Sequence, residues 1–143
     1  MSPVPAPVFR ELSRDQCDAL LARNHIGRIA FSHKDHVDIE PIGFVYEDGW
    51  IYGRTSIGTK LRTLAHNRWV AFETDAVRSM FDWESVVVKG ALYLLDSDGP
   101  HAVAYAAALT ALRTVVPHVL DDEDSTPERS VVFRIHPDLV TGR

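Results

Sequence analysis

Residues 26–52, IGRIAFSHKDHVDIEPIGFVYEDGWIY, decide the fold. Ile29 and Phe31 alternate with Arg28, Ala30 and Ser32, the polar run His33-Lys34-Asp35-His36 interrupts, and Val37-Asp38-Ile39 resumes the alternation. A two-residue period turns one face of an extended chain toward a core, so this stretch reads as a hairpin. Ile42 to Tyr46 and Trp50 to Tyr52 then flank Glu47-Asp48-Gly49. Asp-Gly between β-rich runs signals a second tight turn. Pro41 and Gly43 interrupt the strand pattern and leave backbone open to close approach, either by a ligand or as part of an ordinary bulged edge strand.

Toward the N-terminus, Ser13-Arg14-Asp15-Gln16 matches a capping box, with Ser13 as N-cap and Gln16 reciprocating. A short helix follows, with Cys17, Leu20 and Leu21 on one face and Gly27 just past an end at Arg23 to His25. Residues 1–9, with their prolines, read as an extended arm, and residues 10–143 as one domain. Toward the C-terminus, Leu61, Leu64 and Ala65 take helical spacing, and Trp69 to Thr74 reads as a strand. Ser85 to Leu95 reads as a long strand with a bulge or bend at Gly90. Pro100 to Val116 is Ala-rich with Leu109 and Leu112 as an apolar stripe, which predicts a helix ended by Pro117. The acidic run from Asp121 to Glu128 reads as a solvated loop, and Val131 to Ile135 as the final strand. About six strands and few helices, without βαβ alternation, indicate a mainly β antiparallel barrel.

Composition narrows the function classes. The chain has 143 residues, enough for one core without disulfides or a structural metal. A formal net charge of -5 argues against nucleic acid as a partner, because non-specific affinity for it rests on Lys and Arg neutralising phosphates. Cys17 is the single cysteine, which excludes an internal disulfide or a cysteine-rich metal site and fits a reducing cytoplasm. No run of about 18 apolar residues predicts a membrane span, and the Pro-rich start lacks a signal-peptide core.

Chemistry concentrates at Thr55-Ser56-Ile57-Gly58-Thr59-Lys60, between a strand ending near Gly53 and a helix starting near Gly58. Backbone N–H groups, three hydroxyls and the Lys60 ammonium converge there, which outlines an anion site reinforced by Arg54 and Arg62. Taken alone, the same residues fit a plain helix cap at Ser56. It is neither a Walker A loop nor GxGxxG. Trp83, at the mouth of the long strand with Ser85, reads as the wall of a planar ligand or as core packing. His33 and His36 share a hairpin turn without a further ligand set, so no metal is assigned, and Cys17 reads as buried packing.

Leu12-Ser13, Gly27 to Phe31, Pro41 to Phe44, Ile51-Tyr52, Gly58 to Leu61, Trp83 to Gly90 and Thr141-Gly142-Arg143 occur in one order along the chain. This series resembles the pyridoxamine 5′-phosphate oxidase-like flavin-binding split barrels, in the branch related to nitroimidazole-resistance proteins. The resemblance implies a six-stranded Greek-key split barrel and a homodimer with two FMN molecules at the subunit interface. It also implies hydride transfer at the flavin N5 to or from a small molecule, with non-catalytic flavin storage as the alternative. Carried over by motif, Thr55, Ser56, Thr59, Lys60 and Leu61 surround the phosphate, Ile42, Gly43 and Phe44 run beside the ring, and Trp83 and Ser85 add contacts. Gly43 and Arg54 depart from the family pattern. Arg54 fits a cation for the FMN phosphate, for an anionic substrate, or for a deazaflavin coenzyme.

Overall fold

A computed structural model of the chain describes residues 10–56, 58, 63, 64 and 67–143. The N-terminal arm and Ile57, Thr59 to Arg62, Ala65 and His66 lie outside the described residues. The elements are α1 (Arg14–Arg23), β1 (Ile26–His33), β2 (His36–Glu47), β3 (Trp50–Thr55), β4 (Trp69–Ser79), β5 (Asp82–Leu95), a 3-10 turn (Gly99–His101), α2 (Ala102–Arg113), β6 (Val131–Ile135) and β7 (Leu139–Gly142).

The two hairpins form where the turn chemistry places them. Lys34 and Asp35 take φ of 47° and 65°, and Asp48 and Gly49 take 52° and 79°, the left-handed pairs that match strand twist across a two-residue turn. All strand pairs are antiparallel, in the order β4-β1-β2-β3-β6-β5-β7, and β4 also pairs with β5. Six strands therefore close into a Greek-key barrel, mainly β in class, with β7 added on β5.

The barrel is split. β2 is one continuous strand through Pro41 and Gly43, and it changes partner in the middle. From His36 to Gly43 it pairs with β1, and from Phe44 to Glu47 with β3. β5 does the same on the far side, pairing with β4 up to Ala91 and with β6 from Leu92.

Ile29, Phe31, Ile42, Phe44, Ile51, Phe72, Val86, Val88, Leu92 and Phe133 fill the interior. The α1 helix carries its expected capping box and sends Cys17, Leu20 and Leu21 into the same core. Burying a leucine-sized side chain stabilises by about 1.5–3 kcal/mol, so this short helix is held by packing more than by propensity. The α2 helix covers the outer face of β2, β3 and β6, with Ala108, Ala111 and Leu112 against Val45, Tyr52 and Val132. No helix among the described residues is long and apolar enough to cross a membrane.

Four expectations are corrected. Gly27 is no helix cap: α1 ends at Asn24 in extended conformation, and Gly27 lies within β1, where a Cβ would stand 2.5 Å from the Phe72 ring. Gly90 is no bulge, since it pairs regularly with Val70; its missing side chain admits the His136 carbonyl oxygen, 1.7 Å from where a Cβ would sit. Val131–Ile135 is not the final strand, because β7 follows and pairs with Val86 to Lys89. The acidic run is not wholly solvated, because the Asp124 side chain is 0% exposed.

Candidate functional site

Alternation along each strand decides which residues face outward at the split. Ile29, Phe31, Ile42, Phe44, Phe72, Val86 and Val88 point inward, so Arg28, Pro41, Gly43, Glu73, Asp75, Ser85 and Val87 lie on the outer face. Pairing sets them in rows. Pro41, Arg28, Glu73, Val87 and Thr141 stand side by side, and one pleat along Gly43 pairs with Ile26 and Asp75 with Ser85. Ser85 in turn exchanges two backbone hydrogen bonds with Arg143, at 2.8 and 2.9 Å.

Gly43 is one lip of the split. It is the last β2 residue paired with β1, and a Cβ there would meet only the His25 carbonyl oxygen, at 3.8 Å. The flat backbone is thus open to a planar group without any packing need for glycine. Ile42 and Phe44 point into the core, at 7% and 2% exposure, so they can offer such a group only their main chain.

The end of β3 is the other lip. Phe44 pairs with Gly53, but Arg54 and Thr55 pair only with Val132 and Val131 of β6 among the described pairings. Thr55 turns inward and is buried, while Ser56 emerges exposed. Thr59, Lys60 and Leu61 lie outside the described residues. Gly43 and the Thr55-Ser56 exit are thus brought together.

Trp83 and Ser85 are not brought to that lip. They share the outward phase of β5, half-buried, and are separated from Gly43 by β1 and β4. Three strand spacings amount to roughly 14 Å around the barrel wall.

Arg54 is committed elsewhere. Its Nη1 donates to Asp124 Oδ2 at 2.6 Å, and its Nη2 donates to Asp124 Oδ1 at 3.1 Å and to Thr126 Oγ1 at 2.7 Å. The guanidinium holds the Asp124 carboxyl well below its ordinary range, helped by the Thr126 and Leu120 amides. Asp124 was missed in the sequence because its partner lies 70 positions away and nothing local marks it.

Three further outward groups were also missed. Arg28 Nη1 donates to Glu73 Oε1 and to Asp75 Oδ2, each at 3.3 Å. One cation serves two carboxyls. Burial and the neighbouring Asp75 push Glu73 up to about 7, and Arg28 opposes them only in part. The signal was legible as Glu73-Thr74-Asp75, two carboxylates two residues apart and so on one face of a strand. A cleft of about 310 Å³ lies beside them, lined by Arg23, Asn24, His25, Ile26, Arg28 and Asp75. Among the described residues no group of three or more metal-ligating side chains forms.

A family model described as pyridoxamine 5′-phosphate oxidase matches residues 13–143. Among solved structures, a FAD-binding protein of Mesorhizobium loti is 26% identical, with a TM-score of 0.76 over 93% of this chain and 95% of that one. The FAD-binding protein of Mycobacterium smegmatis is 26% identical, with a TM-score of 0.69 over 94% and 97%. A structure described as a 5-nitroimidazole antibiotic resistance protein, from Bacteroides thetaiotaomicron, shares the fold at 17% identity and a TM-score of 0.67, over 93% of this chain and 86% of that one. An uncharacterised protein of Rhizobium meliloti (strain 1021) is 28% identical over 81 residues, 57% of this chain. The match spans 54% of that relative's own length.

Proposed function

The chain belongs to the pyridoxamine 5′-phosphate oxidase family, and from that premise we propose that it binds a flavin nucleotide at the split and acts as an oxidoreductase on a small molecule. The observation that carries this reading is the chain-long likeness to FAD-binding proteins, and the closeness of Gly43 to the Thr55-Ser56 exit at the split supports it. In this reading Thr55, Ser56, Thr59 and Lys60 would hold the 5′-phosphate, and the main chain of Ile42 to Phe44 would flank the ring. FMN is the smallest flavin that meets both. When bound, a flavin exchanges a hydride at N5, while the chain's own residues orient it and exclude water.

Trp83 and Ser85 stand three strands away from Gly43 in the same chain, and this reading takes them from a second copy. A homodimer that lays the outer face of β5 from a second copy against the split supplies them. The extra Arg54 charge was the feature that favoured a deazaflavin, and its pairing with Asp124 removes that support. A single buried cysteine fits residence in the cytoplasm.

Visible absorption of the purified chain tests the reading, with mass identification of the released cofactor separating FMN from FAD. A colourless chain that retains neither overturns it. Lys60→Ala is expected to weaken FMN binding by about 1.5–3 kcal/mol, the size of a lost charge-assisted contact; unchanged affinity in fluorescence titration would remove Lys60 from the site. Anaerobic stopped-flow mixing with NADH or NADPH then distinguishes turnover from storage, since a storage protein shows no saturable flavin reduction.

A further inference from the structure

Beyond Gly53, β3 loses β2 as a neighbour and becomes an edge held by β6 alone among the described pairings. An edge strand with one neighbour is freer to shift. At this point a loop 70 positions downstream takes hold of it. Asp124 receives both terminal nitrogens of Arg54 and also the amides of Leu120, at 2.8 Å, and Thr126, at 3.0 Å. Thr126 adds its hydroxyl as an acceptor for Arg54. Leu120 adopts φ of +55°, so the loop winds tightly about the carboxylate. The Arg54 and Asp124 side chains are 9% and 0% exposed, far from the usual surface ion pair.

Two consequences follow from this geometry. The positive charge of Arg54 is already matched, which removes it from the cations open to a ligand. The residue that follows it in the chain is Thr55, so whatever fixes Arg54 also fixes the exit toward Ser56. We propose that Arg54 and Asp124 form a positioning strut that holds the Thr55-Ser56 exit of β3 in place to receive the flavin phosphate, and that Arg54 does not itself bind that phosphate. This rests on the flavin reading above and assigns the loop a role in that same site.

The test compares FMN with riboflavin, which lacks the phosphate, in the full chain. Affinities are measured by flavin fluorescence, with a thermal melt for each variant. Arg54→Ala and Asp124→Asn are each expected to weaken FMN by tenfold or more while riboflavin changes less than threefold. The double variant is expected to be no weaker than either single one, because both remove one strut. Thr126→Val, which deletes one of the Arg54 contacts among the described residues, is expected to weaken FMN severalfold and supplies the same comparison if a charge variant fails to fold.

Tighter FMN binding by Asp124→Asn would overturn the proposal, since it would show a freed Arg54 acting as a ligand. Equal weakening of FMN and riboflavin would also overturn it, because a general loss of structure does not single out the phosphate. Wild-type protein that binds neither flavin would remove the underlying reading, and this inference with it. Wild-type protein that binds FMN while the strut variants match it overturns the inference alone.

Discussion

Two carboxyls share one guanidinium on the outer face, and that arrangement has a definite pH signature. Glu73 is raised to about 7, so between its ordinary value of 4.5 and about 7 the folded chain holds a proton that the unfolded chain has lost. Stability contributed by this group is full at low pH, falls as pH rises through that window, and levels off above it. Glu73→Gln keeps a neutral hydrogen-bonding group there at every pH. Its melting temperature relative to wild type is therefore expected to climb between pH 5 and pH 8, and a difference that does not vary with pH would contradict the assignment. Two glycines give a paired test at the same scale. At Gly90 an alanine Cβ would collide with the His136 carbonyl oxygen, a backbone atom that cannot step aside. At Gly43 it would meet only the His25 carbonyl oxygen, at an ordinary contact distance of 3.8 Å. Gly90→Ala is expected to cost about 4 kcal/mol or more in denaturant unfolding, and Gly43→Ala to stay within about 0.5 kcal/mol. If Gly43 lies along a flavin ring, its variant loses cofactor affinity without losing stability.

Strands and turns explain which parts of this fold were legible in the sequence. The hairpins were readable because a period of two and an Asp-Gly turn are local properties, and α1 because Ser13 and Gln16 satisfy each other within one turn. The partner change of β2 between Gly43 and Phe44 was not readable, since a strand's pattern shows which face is buried and not which neighbour it bonds. Half of the site followed the same rule: Gly43 and Ser56 stood out locally, whereas Asp124 became visible only through its contact with Arg54. β7 was missed for a related reason. Its four residues are held by the middle of β5, and Gly142 is bare so that Cys17 Sγ and Leu12 can sit 2.6 and 3.0 Å from where its Cβ would be. Burial pushes the Cys17 thiol up, which keeps it protonated and unreactive in the native chain. Gly142→Val is expected to lift β7 away from α1 and open that thiol to solvent. Reaction with an aromatic disulfide reagent is expected to be slow for wild type and much faster for the variant; equal rates would place Gly142 outside the packing that protects Cys17.

At the scale of the whole molecule, the two flanks of the barrel are unlike. The flank made by β3, β6 and the end of β5 is covered by α2. The flank made by β2, β1, β4, the first part of β5 and β7 lies away from α2 and exposes Val37 at 75%, Ile39 at 67%, Ile26 at 60%, and Trp69 and Leu139 at 53% each. Val37, Ile39 and Trp69 form one strip in outward phase with Ala30 and Ala71, bounded by Lys89 on the side of Leu139 and by Arg28 and Glu73 on the side of Ile26. An exposed apolar strip rimmed by charged residues has the make-up of a surface where two subunits meet. The same flank holds Gly43 at one edge and Trp83 and Ser85 at the other, so a two-fold related copy laid on it would bring one chain's Gly43 to the other's Trp83. Association and cofactor binding should then fail together. Light scattering on wild type is expected to give twice the 16.0 kDa chain mass. Ile39→Glu points outward and disturbs no core contact, so it is expected to leave the thermal melt of the barrel recognisable while converting the protein to monomer and releasing its flavin. A dimeric Ile39→Glu would mean that the copies meet elsewhere. A monomeric variant that keeps its flavin would mean that each split is complete within one chain.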